Sequence, residues 1–261
     1  MQKFEGFVNN EAHLYSELEK LGIKAETVAW ECQEKIDFES PSLIRTTWNY
    51  TEHLDGYLKT LKRFASGKLW NPYEVVEWNS NKVYLEEIAK AGVETLPTLV
   101  VESDNQLEMG IGQLDGNDFI IKPTIGASAS GLIRFNRSEI PRIHGPHLLQ
   151  PFIPEITLGE VSLFYFGEEF RYAIKKVPKA GDIRVQEEYG GILSLYDPTQ
   201  RDRETAEKAI SLIPGDWLYA RVDIIPGVGV IELECIEPSL YFNTYPEGAK
   251  ILAKLIRDRL F

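Results

Sequence analysis

Cysteine is nearly absent: Cys32 and Cys235 are the only two in 261 residues. They lie far apart, and neither belongs to a C-x-x-C pair or a zinc spacing, so a disulfide scaffold and a thiolate metal site are both excluded. Reduced thiols and a cytoplasmic setting are the expectation. No apolar run approaches the ~18 residues of a membrane span, and Met1-Gln-Lys-Phe-Glu-Gly6 lacks the apolar core of a signal peptide. The sequons at Asn49 and Asn136 therefore carry no expected modification. Positive charge is also scarce, with 28 Lys and Arg against 40 Asp and Glu and a net charge of −12. Such a surface repels a phosphate backbone, which argues against general nucleic-acid binding and leaves room for a small phosphorylated ligand in a local basic cleft. None of the four histidines recurs at metal-ligand spacing. A Walker A motif is missing, and neither Gly110-x-Gly112 nor Gly227-x-Gly229 completes a dinucleotide fingerprint.

What is present is ample apolar material, 43% of the chain, enough for one large domain or two to three small ones. Leu14, Leu18 and Leu21 mark a helix over residues 10–21 that stops at Gly22, and 25–30 reads as a strand. Leu43-Ile44 opens into a polar loop, Arg45 to Tyr50, and Leu54, Leu58, Leu61 and Phe64 mark a second helix. A third helix is expected at 81–91, then strands at 97–101, 118–122, 132–135, 161–166 and 170–176, and a last helix at 248–260. Between Val177 and Asp197 periodicity fails, and the glycines at 181, 190 and 191 with Asp182 and Arg184 suggest a long functional loop. The pattern is a mixed α/β chain without internal repeats.

The most telling segment is the pair Arg221-Val-Asp223-Ile-Ile and Ile231-Glu-Leu-Glu234-Cys-Ile-Glu237, joined through Pro226-Gly-Val-Gly229. Read as a hairpin turning after Gly227, it sets Asp223 opposite Glu232, while Glu232 and Glu234 share a face by the two-residue period of a strand. Like charges across a ladder destabilise it. An oxygen-only cluster of this kind suits Mg²⁺ together with substrate phosphates. A solvated hairpin edge is the competing reading.

Lys122 ends a strand before the small-residue loop Gly126, Ala127, Ser128, Ala129, Ser130, Gly131, whose backbone N–H groups could face phosphate oxygens. A glycine-serine hairpin beside a solvated lysine explains the composition equally well. The apolar Gln150, Pro151, Phe152, Ile153 offers backbone groups to an adenine edge, with Glu155 or Glu160 for ribose hydroxyls, against the alternative of a surface loop. Lys82, Lys175, Lys176, Arg184 and Arg221 are the cations available to a triphosphate or acyl phosphate. Trp48, Trp70 and Trp78 read as packing between helix and sheet, with a substrate wall as the alternative.

In this order, Lys82, Lys122-Pro with Gly126 to Gly131, Gln150-Pro-Phe-Ile-Pro-Glu155, Gly159-Glu160, Arg221-Val-Asp223 and Glu232-Leu-Glu234 resemble the nucleotide and magnesium sites of the ATP-grasp superfamily. Arg45-Thr-Thr-Trp-Asn-Tyr50, Leu69-Trp-Asn-Pro72, Trp78-Asn-Ser-Asn-Lys82, Gly181-Asp-Ile-Arg184-Val-Gln186 and Glu234-Cys-Ile-Glu237-Pro-Ser-Leu-Tyr-Phe242 extend the likeness over nearly the whole chain. Within the superfamily they resemble the glutathione-synthetase-type group that includes the cyclo-ligase of D-cycloserine biosynthesis.

The resemblance implies an α/β pre-ATP-grasp domain at 1–80, a small lid subdomain at 81–150 and a larger subdomain with the magnesium site at 151–261. It implies ATP and Mg²⁺, a small-molecule carboxylate, an amine-type nucleophile, and room for a homodimer. Carried over by residue, Lys82 and Lys122 meet the α- and β-phosphates, the Gly126 to Gly131 loop covers the phosphates, and residues 150–155 bind adenine with Glu160 on the ribose. Lys175 joins the nucleotide contacts, Arg184 and Arg221 hold the γ-phosphate and acyl phosphate, and Asp223, Glu232 and Glu234 hold the metal, with Glu237 a further candidate. Two departures stand out. Phe4 to Asn10 offers only a rudiment of the usual first strand, so a shortened N-terminal sheet is expected, and Glu234 replaces the usual asparagine.

Overall fold

A computed structural model describes residues 11–127, 130–179, 181, 185 and 190–260. Leu14 and Leu18, one turn apart, bury one face of helix α1 (Ala12–Lys20). They pack with Leu252, Ala253 and Ile256 of the C-terminal helix, so the two ends of the described chain lie side by side. After α1 come β1 (Ser42–Leu43), α2 (Leu54–Leu61), β2 (Leu69–Trp70), α3 (Tyr73–Asn79), α4 (Tyr84–Lys90), β3 (Leu99–Val101), α5 (Asp104–Gln113), β4 (Asp118–Pro123), β5 (Ile133–Asn136) and β6 (His147–Pro151). The remainder is β7 (Glu160–Phe166), β8 (Glu169–Val177), β9 (Ile192–Tyr196), α6 (Gln200–Ile210), β10 (Tyr219–Ile225), β11 (Gly229–Glu234) and α7 (Pro246–Leu260).

The described residues form three sheets. The strands β1 and β2 form a two-stranded parallel ribbon, β3-β6-β4-β5 a four-stranded antiparallel sheet, and β11-β10-β7-β8-β9 a five-stranded antiparallel sheet. The mixed α/β architecture expected from the sequence is what folds. The strand expected at 25–30 is not one of the strands of the structure: residues 24–29 are exposed, and no described strand lies beside them to complete a ladder. Phe4 to Asn10 lies outside the described residues. Two helices that periodicity did not reveal are set by their caps. Ser103 Oγ accepts from Gln106 N at the start of α5, and Thr199 with Asp202 forms a capping box on α6. Residues 192–196, inside the span expected as loop, form the edge strand β9. Among the described residues no helix is long and apolar enough to cross a membrane.

The five-stranded sheet positions the site because its two faces differ. Val161, Leu163, Tyr165, Ala173, Ala220 and Val222 point to one face, where α6 supplies Ala206, Ala209 and Ile210. On the opposite face Phe164, Phe166, Tyr172, Ile174 and Tyr219 pack beneath α7. Along that second face the same two-residue alternation passes from apolar to charged: Phe166, Phe164, Ser162, Glu160 on β7, Tyr172, Ile174, Lys176 on β8, and Tyr219, Arg221, Asp223 on β10. The charged half looks across a cleft at the four-stranded sheet.

The hairpin β10–β11 is tied by its tip to the segment between α4 and β3. Val230 N donates to Glu94 O at 2.8 Å and Leu96 N to Val230 O at 3.2 Å. A Cβ on Gly229, whose φ is 138°, would lie 2.3 Å from Glu94 O. Gly229→Ala is therefore expected to cost about 2–4 kcal/mol through backbone strain and a displaced strand tip. Thermal unfolding measures this, and an unchanged midpoint would show that the tip does not fix the two sheets relative to each other.

Candidate functional site

Pairing Asp223 with Glu232 and Arg221 with Glu234 puts all four side chains on the cleft face of β10 and β11. The expected opposition is reached by a different route: the turn centres on Gly227, and a bulge between Asp223 and Ile224 restores the register. One oxygen from each of Asp223, Glu232 and Glu234 lies within 4.8 Å of the others. Arg221 Nη2 bridges two of them, at 2.8 Å from Asp223 Oδ2 and 2.6 Å from Glu234 Oε1. Asp223 also accepts from Ser162 Oγ and faces Lys176 Nζ at 3.4 Å, while Lys176 pairs with Glu160.

These carboxylates do not titrate alike. Burial raises Asp223, yet Arg221 and Lys176 outweigh it and hold the group down to about 2. Burial likewise opposes ionisation of Glu232, but Lys82 and Lys122 keep it below the usual range. Glu234 goes the other way: burial, with Glu232 and Glu237 adding, pushes it up to about 8 in spite of Arg221. Glu237 is pushed up to about 7, chiefly by burial. Carboxylate charge exceeds its cations at this end of the cleft. An oxygen-only donor set of this span, with more carboxylates than cations, fits a hard divalent cation.

The opposite wall comes from β4, β6 and the start of α4. Lys122 follows the buried run Phe119, Ile120, Ile121 and so projects from the end of β4 into the cleft. Lys82 sits 3.2 Å from Glu232 and donates to Gly126 O, which fixes the start of the small-residue loop. Burial, with Lys82 adding to it, holds Lys122 below its ordinary value even though Glu232 opposes this. Here it is negative charge that is short. Ile120, Ile153, Leu96, Leu132, Ile225 and Ile231 make the cleft apolar between its two walls.

Several residues singled out from the sequence come together on this cleft: Lys82, Lys122, Gly126, Ala127, Ser130, Gln150, Pro151, Ile153, Glu160, Arg221, Asp223, Glu232, Glu234 and Glu237 all line it. Others do not. Lys175 half-buries on the other face of β8, and it is Lys176, two residues beyond Ile174, that enters the cleft. Phe152 turns out beneath the Arg134 guanidinium, 3.6 Å from its ring centre, and Glu155 is exposed. Gly131, with φ 72°, packs against Pro123. Glu160 lines the cleft and is paired with Lys176. Ser128, Ala129 and Arg184 lie outside the described residues.

Of the three tryptophans singled out from the sequence, Trp70 and Trp78 pack against the cores, whereas Trp48 lines the cleft and donates Nε1 to Glu237 O at 3.3 Å. Sequence reasoning missed Arg45 and Glu11 as cleft residues; they form a buried ion pair at 2.8 Å and Arg45 Nη2 also donates to Pro238 O. No local pattern marks that pair, whose members stand just before α1 and just after β1.

A chain with this cleft matches the prokaryotic glutathione synthetase ATP-grasp domain over residues 81–241, and the N-terminal domain of D-cycloserine synthetase DcsG over residues 1–71. The cycloserine biosynthesis protein DcsG of Streptomyces lavendulae is 25% identical over 90% of this chain and 86% of its own length. A glutathione synthetase of Nitrosomonas europaea is 30% identical over 52% of this chain and 44% of that protein. Among solved structures, D-cycloserine synthetase DcsG superimposes with a TM-score of 0.81 at 24% identity, covering 96% of this chain and 94% of that one. The D-alanine–D-alanine ligase of Bacillus anthracis superimposes at 0.59 and 13% identity over 97% and 94% of the two chains, a likeness of fold. The chain belongs to the ATP-grasp family of the prokaryotic glutathione synthetases.

Proposed function

We propose that this protein is an ATP-dependent ligase that activates a small-molecule carboxylate as an acyl phosphate, which an amine or similar nucleophile then captures with release of phosphate. The observation that carries the reading is the complementary charge deficit across the cleft. Burial holds Glu234 high in spite of Arg221, and burial holds Lys122 low in spite of Glu232. A magnesium nucleotide supplies a cation to the first and an anion to the second.

In this reading residues 1–80, 81–150 and 151–261 act as pre-ATP-grasp domain, lid and large subdomain. Lys82 and Lys122 hold ground-state phosphates, the loop 126–131 covers them, and Gln150, Pro151 and Ile153 receive the base. Asp223, Glu232 and Glu234 hold Mg²⁺, which when bound neutralises charge on the phosphoryl oxygens. Arg221, whose Nη1 donates to Ser239 O at 3.3 Å, meets the charge that develops on the transferring phosphoryl group, and Arg184 is assigned the same role. The substrate carboxylate oxygen attacks the γ-phosphorus and ADP leaves. The nucleophile then attacks the acyl carbon, loses its proton, and phosphate departs with the bridging oxygen.

Catalysis through these residues is positioning and electrostatics. A silent nucleotide-binding protein would have no physical reason to keep buried like charges together. The match of residues 1–71 to the N-terminal domain of a D-cycloserine synthetase is compatible with one variant of the same chemistry, cyclisation of a single substrate bearing both carboxylate and nucleophile. With substrate carboxylate labelled in both oxygens, one label is expected in each phosphate released alongside ADP. AMP and pyrophosphate, or unlabelled phosphate, would overturn the acyl phosphate. A product formed without any added amine selects cyclisation.

A further inference from the structure

Between β11 and α7 the chain runs over the sheet without helix or strand, yet every carbonyl of residues 237–241 is held. Trp48 Nε1 donates to Glu237 O at 3.3 Å, Arg45 Nη2 to Pro238 O at 2.9 Å, Arg221 Nη1 to Ser239 O at 3.3 Å and Tyr172 Oη to Leu240 O at 2.7 Å. Tyr241 O takes the N–H groups of Thr244 and Tyr245 at 2.9 and 3.0 Å. Backbone acceptors of an irregular buried segment need partners, and here side chains from four separate places in the chain provide them. The segment is thereby fixed, and what it fixes is strained. Among the described residues Tyr241 is the one non-glycine with a positive φ, 48°. A bulky side chain disfavours that left-handed state, which persists only where surrounding contacts over-determine it. Glycine would adopt it freely, so the ring is what the conformation delivers.

The ring goes to the row at which the sheet face turns from apolar to charged. It meets Phe164 edge-on, with centroids 6.2 Å apart and planes at 85°, and Phe164 stands opposite Arg221 in the ladder. The side chain is 7% exposed and lines the cleft, where Lys176 and Arg221 are the cations that act on it. Burial outweighs both and raises the phenol above its ordinary value, so it is a protonated donor. Tyr172 and Tyr219, on the same face, use their hydroxyls on the carbonyls of Leu240 and Ile236. The hydroxyl of Tyr241 has no hydrogen-bond partner among the described residues. Its cationic neighbours are engaged already, Lys176 with Glu160 and Asp223, and Arg221 with Asp223, Glu234 and Ser239 O.

Along β10 this face presents Tyr219, Arg221 and Asp223 in turn, so Arg221 separates the apolar end from the metal-ligating acids. Tyr241 approaches from the apolar end. In-line transfer sets the acceptor on the far side of the γ-phosphoryl group from ADP, and ADP belongs to the wall of Lys82 and Lys122 in the ligase reading. The free donor therefore lies on the acceptor's side.

We propose that Tyr241 is a catalytic residue of the capture step, its hydroxyl donating a hydrogen bond to the carbonyl oxygen of the acyl phosphate. When the nucleophile adds to the acyl carbon, the carbonyl π pair moves onto that oxygen, and the phenol stabilises the charge without giving up its proton. Collapse of the adduct restores the carbonyl and expels phosphate with the bridging oxygen. This rests on the ligase reading above and adds to it a residue that acts after ADP has formed.

The experiment compares the parent with Tyr241→Phe in rapid-quench turnovers, using whichever acid of a panel of small carboxylic acids, amino acids and dipeptides gives the fastest ADP release in the parent. Tyr241→Phe keeps the ring on Phe164 and loses a hydroxyl that no described group needs, so its unfolding temperature should match the parent's. It is expected to form its first equivalent of ADP at close to the parent's rate and to release phosphate about 100-fold more slowly, with KM for ATP within about twofold. A structural role would slow both steps together. Equal slowing of ADP and phosphate, phosphate release at the parent's rate, or a rise in the KM for ATP alone overturns the role of Tyr241 and leaves the ligase standing. Release of AMP, or no ADP from the parent with any carboxylate, overturns both.

Discussion

Arg221→Met is expected to abolish turnover, by about 10³-fold or more, and to lower folding stability by about 3–5 kcal/mol. The guanidinium is 6% exposed and is the cation shared by Asp223 and Glu234. Without it Asp223 keeps Ser162 and a lysine at 3.4 Å, and Glu234 keeps no described cation within ion-pair distance. The loss should depend on pH in a definite sense. In the parent Asp223 is depressed to about 2, below the ~3.9 of an unfolded aspartate, so its contribution is present above about pH 4 and lost as pH falls toward 2. The variant lacks the main charge that depresses it. Urea unfolding at a series of pH values should therefore show a large gap between parent and variant at pH 7 that narrows below pH 4. A variant as stable as the parent at neutral pH would mean that Arg221 does not compensate the acids.

The acid pair across the hairpin was legible because Gly227, Gly229 and a two-residue period leave few registers, even though a bulge, which no residue type announces, completes the pairing. The choice between Lys175 and Lys176 was not. Both faces of β8 are buried, Tyr172 and Ile174 on one and Ala173 on the other, so alternation of polarity cannot tell which lysine faces the ligand. At 25–30 a strand-like composition met no partner strand among the described residues. The capping signals at Ser103 and Thr199 were in the sequence, but α5 carries Gly110 and Gly112 and α6 is mostly charged, which masks helical periodicity. What the sequence hides most completely is closure: Trp48 reaches Glu237 across 189 positions and Glu11 reaches Arg45 across 34, contacts that only the packed sheets bring about.

Magnesium affinity is expected to rise about 10- to 100-fold between pH 6 and pH 9, because a ligating carboxyl must first lose its proton. Asp223 and Glu232 are already ionised over that range, so the dependence belongs to Glu234, held at about 8, with Glu237 at about 7 beside it. Stability follows the opposite sign to Asp223. A folded value raised above the ~4.3 of an unfolded glutamate contributes fully below about pH 4 and is lost as pH rises through 8. The metal-free protein should thus unfold at lower temperature at pH 9 than at pH 6. The difference is on the order of 2 kcal/mol, since the Glu234 side chain is 26% exposed and solvent screens part of its burden. Added Mg²⁺ should restore more stability at pH 9 than at pH 6. Glu234→Asn should flatten both trends, while Glu232→Gln, which removes a ligand that is ionised throughout, should weaken Mg²⁺-dependent nucleotide binding at every pH. Equal stabilisation by Mg²⁺ of the parent and of Glu232→Gln would place the metal away from these three carboxylates, and the charge deficit at Glu234 would then need another cation to answer it.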